Sequence, residues 1–81
     1  MVIFPNPTDN ELWIQIKERV FGKAAIIISD ITGKQVYRED LGRINLPELR
    51  KKVNLTTIMT GTYIVTIHVD NKIYVQKLVI Q

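Results

Sequence analysis

The chain has no cysteine, and its 81 residues include a single serine and a single histidine. Without cysteine there are no disulfides, thiol nucleophiles or thiolate metal sites, an absence compatible with either an intracellular or an exported protein. Nucleophilic catalysis needs a nucleophile, a base and an orienting group within mutual reach, and Ser29 and His68 fall on separate predicted strands. His68 alternates out of phase with its apolar neighbours and reads as a solvent-side strand residue. Long apolar runs are also missing. The longest, Ala24 to Ile28, is far below the ~20 residues that span a bilayer, so no transmembrane segment is predicted. Met1-Val2-Ile3-Phe4 runs straight into prolines and lacks the basic start and apolar core of about 7–15 residues of a secretory signal. The expectation is either a cytoplasmic domain or one cut from a longer parent.

Charge is modest: 11 Lys and Arg against 8 acids give +3, a statement about solubility more than about partners. The one basic cluster, Arg50-Lys51-Lys52, has no interleaved aromatics and reads as a solvated loop, so nucleic acid is not an expected partner. Asp9, Asp30, Asp40 and Asp70 stand singly at predicted turns, where a carboxylate caps backbone N–H groups; a calcium site would need several to converge. Gly22, Gly33, Gly42 and Gly61 form no phosphate-binding motif and read as turn glycines. No cofactor and no metal are expected. Trp13, Tyr37 and Tyr74 would make a sugar-stacking platform if they shared one exposed sheet face, the alternative being outer-sheet packing.

The chain offers alternation at period two. Leu12, Ile14 and Ile16 take one face and Trp13, Gln15 and Lys17 the other, which predicts a half-buried strand after a Thr8-Asp9-Asn10 turn. Ala24 to Ser29 predicts a second strand, turning at Asp30-Ile31-Thr32-Gly33-Lys34 and returning from Lys34 to Leu41. Between Ile44 and Lys52 the pattern predicts a strand followed by a short helical turn, broken at Pro47. Val53-Asn54-Leu55 reads as a short strand and Thr56 to Gly61 as a loop. Thr62 to Val69 follows with Tyr63, Val65, Ile67 and Val69 toward the core, and a two-residue Asp70-Asn71 connection predicts a type I′-like hairpin with Lys72 to Ile80. About seven short strands without a long amphipathic helix predict one all-β domain over residues 1–81, an antiparallel two-sheet sandwich.

Four elements then combine: Ile3-Phe4-Pro5-Asn6-Pro7-Thr8, Ile28-Ser29-Asp30-Ile31-Thr32-Gly33-Lys34, Thr60-Gly61-Thr62-Tyr63-Ile64-Val65 and Lys77-Leu78-Val79-Ile80. In this order, over almost the whole chain, they resemble the type A carboxy-terminal sorting domain of the type IX (Por) secretion system of Bacteroidetes. The resemblance implies an immunoglobulin-like sandwich at the carboxyl end of a larger secreted cargo, which an ordinary signal peptide brings to the periplasm. The domain would then direct its covalently attached cargo across the outer membrane through the type IX translocon and shuttle. A cell-surface sortase would remove it, so that it is a protease substrate and not an enzyme, and the cargo ends at the cell surface or secreted.

Carried over by position, Pro5, Asn6 and Pro7 form the opening motif, with a plain structural role of starting strand one, and Asp30, Gly33 and Lys34 form the hairpin. Gly61 permits a bend above the buried Tyr63 ring. Lys77, Leu78, Val79, Ile80 and Gln81 form the terminal motif that the export machinery would read, open to capture by strand addition. The Ile44 to Lys52 stretch departs from the family's pattern in length and charge. The family's cleavage point precedes Pro-Asn-Pro, which places the scissile bond before residue 1. Two other readings compete: a carbohydrate-binding or adhesive module built on the three aromatics, and a homodimer through exposed edge strands.

Overall fold

The computed structural model describes all of residues 1–81 as seven β-strands and no helix. In chain order these are β1 (Val2–Phe4), β2 (Glu11–Ile16), β3 (Val20–Asp30), β4 (Gln35–Leu46), β5 (Leu49–Asn54), β6 (Gly61–Val69) and β7 (Lys72–Ile80). They form a three-stranded sheet, β1-β2-β5, and a four-stranded sheet, β4-β3-β6-β7, with every adjacent pair antiparallel. The all-β sandwich expected from the sequence is what the chain adopts.

Alternation drives the packing. Leu12, Ile14 and Ile16 of β2 are buried, as are Ile26 and Ile28 of β3 and Tyr63, Val65, Ile67 and Val69 of β6. With Leu78 and Ile80 of β7, Leu49 and Val53 on the facing sheet and Leu55 just after β5, they belong to one continuous core of 17 residues. Burying each aliphatic side chain contributes about 1.5–3 kcal/mol. β3 is central, paired on both sides, and β1 packs against β7 where the sheets meet.

Several local expectations are corrected. The helical turn between Ile44 and Lys52 is absent: β4 runs to Leu46, Pro47 and Glu48 turn the chain, and β5 pairs with β2 from Ile16↔Leu49 to Glu11↔Asn54. The charged residues Arg50 and Lys52 face outward while Leu49 and Val53 reach the core, so period-two burial overrides helix propensity. Two strands are long, at 11 residues for β3 and 12 for β4. Asp40 is in a strand and not a turn, paired with Arg38 at 3.0 Å.

Gly22 and Gly42 also lie inside strands. Gly42, at φ 70°, sits at a bulge where Leu41 is the extra residue of β4. The first strand precedes Pro5-Asn6-Pro7, so this motif joins β1 to β2 and does not start strand one. Finally, the Asp70-Asn71 connection has two residues as expected, but only Asp70 takes a positive φ, 51°, whereas type I′ needs it at both.

Candidate functional site

The two sequence ends meet along the free edge of β7. β7 is hydrogen-bonded to β6 on one side; on the other, its last residues are met by the segment between β1 and β2. The Asn6 carboxamide supplies what a neighbouring strand's peptide group would: Nδ2 donates to Lys77 C=O at 2.9 Å, and Oδ1 accepts from Val79 N–H at 3.0 Å. Two residues on, backbone takes over, with Thr8 N–H donating to Val79 C=O at 3.0 Å and Gln81 N–H donating to Thr8 C=O at 2.8 Å. Pro5 and Pro7 have no N–H to offer, so a side chain carrying both donor and acceptor makes this bridge. Both X–Pro peptide bonds are cis. Thr8 is itself buried, at 4% exposure, and its hydroxyl donates to Glu11 C=O.

Within this clamp the terminal residues divide by face. Leu78 and Ile80 are buried at 0% and 3% exposure, so their side chains are core. Lys77 and Gln81 are exposed and Val79 is half-buried, facing out. Capture of Lys77–Gln81 by strand addition would therefore first have to displace Asn6 and Thr8.

The other singled-out residues organise loops around the same end of the sandwich. Asp30 Oδ1 accepts from the Thr32 hydroxyl at 2.6 Å and from the N–H groups of Thr32 and Lys34 at 2.9 and 3.0 Å. These donors, the Thr32 hydroxyl foremost, hold the Asp30 carboxyl below its ordinary pKa. Gly33, at φ 90°, closes the loop by donating its N–H to Asp30 C=O at 3.0 Å. Tyr63 lies under Gly61, and its hydroxyl donates to Met59 C=O at 2.7 Å, tying the β5–β6 loop to the strand.

The opposite end carries contacts that sequence reasoning missed. Gly22 lies beneath the Asp70 carboxylate, where an added Cβ would come within 2.4 Å of Oδ2. Asp70 Oδ1 accepts from Lys23 N–H at 2.8 Å, and Asp70 N–H donates to Lys23 C=O at 2.9 Å, docking the β6–β7 turn on β3. Glu18 Oε1 accepts from Lys72 Nζ at 2.8 Å and from the Tyr74 hydroxyl at 2.6 Å. Hydrogen bonding within this group lowers the Glu18 pKa and raises that of Lys72 to about 12. Across the sheets, Glu39 accepts from the Tyr37 hydroxyl at 2.7 Å and pairs with Lys51 at 2.8 Å. Burial first, then Glu39, pushes Tyr37 up to about 12.

The aromatics do not converge. Tyr37 opposes Ile28 and Tyr74 opposes Ile67, so both face inward on opposite edge strands of the larger sheet, which also overturns outer-sheet packing for them. Trp13 faces out from the smaller sheet beneath Arg50, whose guanidinium is 4.9 Å from the ring centroid. His68 lies on the outer face beside Ala25, and Ser29 lies four positions further along β3, roughly 13 Å by strand rise. No three His, Asp or Glu side chains gather as a metal-binding group.

A seven-stranded antiparallel sandwich whose last strand is clamped by its opening segment defines a small β-sandwich module. The chain belongs to the secretion system C-terminal sorting domain family, whose sequence profile matches residues 2–81. It is thus a sorting signal of the type IX secretion system, a family that is non-catalytic and whose members lead to export to the cell surface or secretion. No curated protein matches the chain at a significant level.

Proposed function

We propose that this domain is the address of a covalently attached cargo, which it takes from the periplasm across the outer membrane, and that the exposed side of Lys77–Gln81 is what the type IX machinery reads. A cell-surface sortase then removes the domain. The observation that carries this reading is the family match across residues 2–81. The clamp supports the choice of site, because Asn6 and Thr8 fix the strand from outside while Leu78 and Ile80 anchor it from inside. Lys77, Val79 and Gln81 are thereby held in one constant geometry, and a rigid epitope is read at lower entropic cost than a frayed tail.

The test fuses residues 1–81 to a reporter with its own signal peptide in a bacterium that has this machinery. Surface delivery is expected, and loss of Lys72–Gln81 should strand the reporter in the periplasm; unchanged delivery after that deletion removes the export reading. Lys77→Glu, on an exposed side chain, separates folding from reading. It should leave the melting temperature unchanged and reduce delivery, and normal delivery of this folded variant removes Lys77 from the surface that is read.

A further inference from the structure

Four strands of this sandwich have a free edge, β1, β5, β4 and β7, and an unpaired edge is a template for another chain unless it is blunted. Three are blunted along their length. β1 has only three residues. β5 carries Arg50, Lys51 and Lys52, and β4 carries Arg38, Glu39, Asp40 and Arg43 around its Leu41–Gly42 bulge. The end of β7 is closed by Asn6 and Thr8.

The segment Ile73–Gln76 has none of these protections, and Lys77, which ends it, is the one charged residue there and gives only its C=O to Asn6. The groups of β7 that meet Asn6 and Thr8 belong to Lys77, Val79 and Gln81, and hydrogen-bonding direction alternates along an antiparallel strand without a bulge. By that alternation the N–H and C=O of Ile73 and Val75, and the N–H of Lys77, point away from β6 into solvent. No strand lies beyond them. The Ile73 and Val75 side chains are 56% and 60% exposed on the outer face, beside His68 and Thr66 of β6. Lys77 is exposed and in no ion pair.

We propose that Ile73–Lys77 is a strand-addition site for an extended segment of another protein, with β-branched residues at alternate positions and a carboxylate set against Lys77. The backbone groups demand an extended chain, and the exposed Ile73 and Val75 select β-branched neighbours on the same face. The unpaired Lys77 on a chain of net charge +3 selects an acidic segment. A second copy fits less well: it repeats the same positive charge, and Asn6 limits pairing to a few residues, against about 20–30 a side in a stable interface. The site stands on the edge itself and is independent of the export reading.

The probe is a seven-residue peptide of alternating valine and threonine with glutamate at both ends, titrated into the isotope-labelled full chain. The Ile73, Val75 and Lys77 amides should exchange with solvent about tenfold more slowly when it is bound. A lysine-ended version should bind more weakly. Val75→Pro should abolish the effect while keeping every bond to β6, since the lost N–H points outward. Should Val75→Pro not fold, Val75→Lys serves as the second variant, and it should weaken binding without loss of fold. No slowing at the three amides, or equal slowing by the lysine-ended peptide, overturns the proposal. So does slowing that grows with protein concentration alone and accompanies a dimer in sedimentation, which would assign the edge to a second copy.

Discussion

The two halves of β7 are built on the same β6 ladder and differ in what lies on their other side. From Lys77 onward the strand is held by Asn6 and Thr8 outside and by Leu78 and Ile80 within. From Lys72 to Gln76 no segment closes it from outside; it is held by Asp70 docked on Lys23, by the Glu18 carboxylate on Lys72 and Tyr74, and by the half-buried Tyr74 ring against the core. The closed half is thus fixed by two buried side chains and backbone, the open half by one half-buried ring and exposed polar contacts. Since buried apolar area outweighs exposed polar contacts several-fold, the difference predicts a graded response to substitution along one strand.

The largest effect is expected at Leu78, which is fully buried. Leu78→Ala should cost about 2–5 kcal/mol through lost transfer energy and a residual cavity, measured by urea unfolding. A loss below 1 kcal/mol would mean that the closed half is not anchored from within. Next is Gly22→Ala. The new Cβ would fall 2.4 Å from Asp70 Oδ2 at a φ of 141°, so both the β6–β7 turn and the backbone must shift, at about 1–3 kcal/mol. Exchange should accelerate at Lys23 and Asp70 before it does at Val79; simultaneous acceleration would merge the two halves into a single unit.

Asn6→Ala should cost about 1–2 kcal/mol, as two hydrogen bonds near the surface are replaced by water. Its signature is local: the Val79 amide should lose protection while the amides of β2 keep theirs. Asn6→Asp sharpens this, since a carboxylate can still accept from Val79 N–H but cannot donate to Lys77 C=O. At neutral pH it should restore less than full protection, and lowering the pH until it protonates should recover part of the remainder.

How much of this was legible depended on sequence distance. The alternation of Leu12, Ile14 and Ile16, or of Tyr63, Val65, Ile67 and Val69, is a local signal, and each set is buried on one face. β5 was obscured because Glu48 to Lys52 is rich in helix formers, and only the facing core decides that Leu49 and Val53 point inward. The clamp was half legible. Pro5-Asn6-Pro7 and the terminal motif were both singled out, yet nothing local says that Asn6 bonds residues 71 and 73 positions away. Gly22 was misread as a turn glycine for the same reason, since the carboxylate it accommodates belongs to Asp70, across β3 and β6.

The smallest effect is expected at the open half's polar anchor. Glu18 and Lys72 are both exposed, so Glu18→Gln should lower the melting temperature less than Asn6→Ala does. Its value lies in the pH dependence. Hydrogen bonds from Lys72 and then Tyr74 put the folded Glu18 pKa below its unfolded value of 4.5. The stabilisation is therefore present above pH 4.5 and is lost as pH falls through the lower folded pKa. The Lys72 pKa is raised from 10.5 to about 12, so the same contact is intact below pH 10.5 and is lost as pH climbs toward 12. Glu18→Gln should flatten both limbs of the stability profile together, and 0.5 M salt should mimic it by screening the exposed pair. A variant that flattened only the acid limb would show that Lys72 draws its raised pKa from the Tyr74 ring, 5.0 Å from Nζ, and not from Glu18.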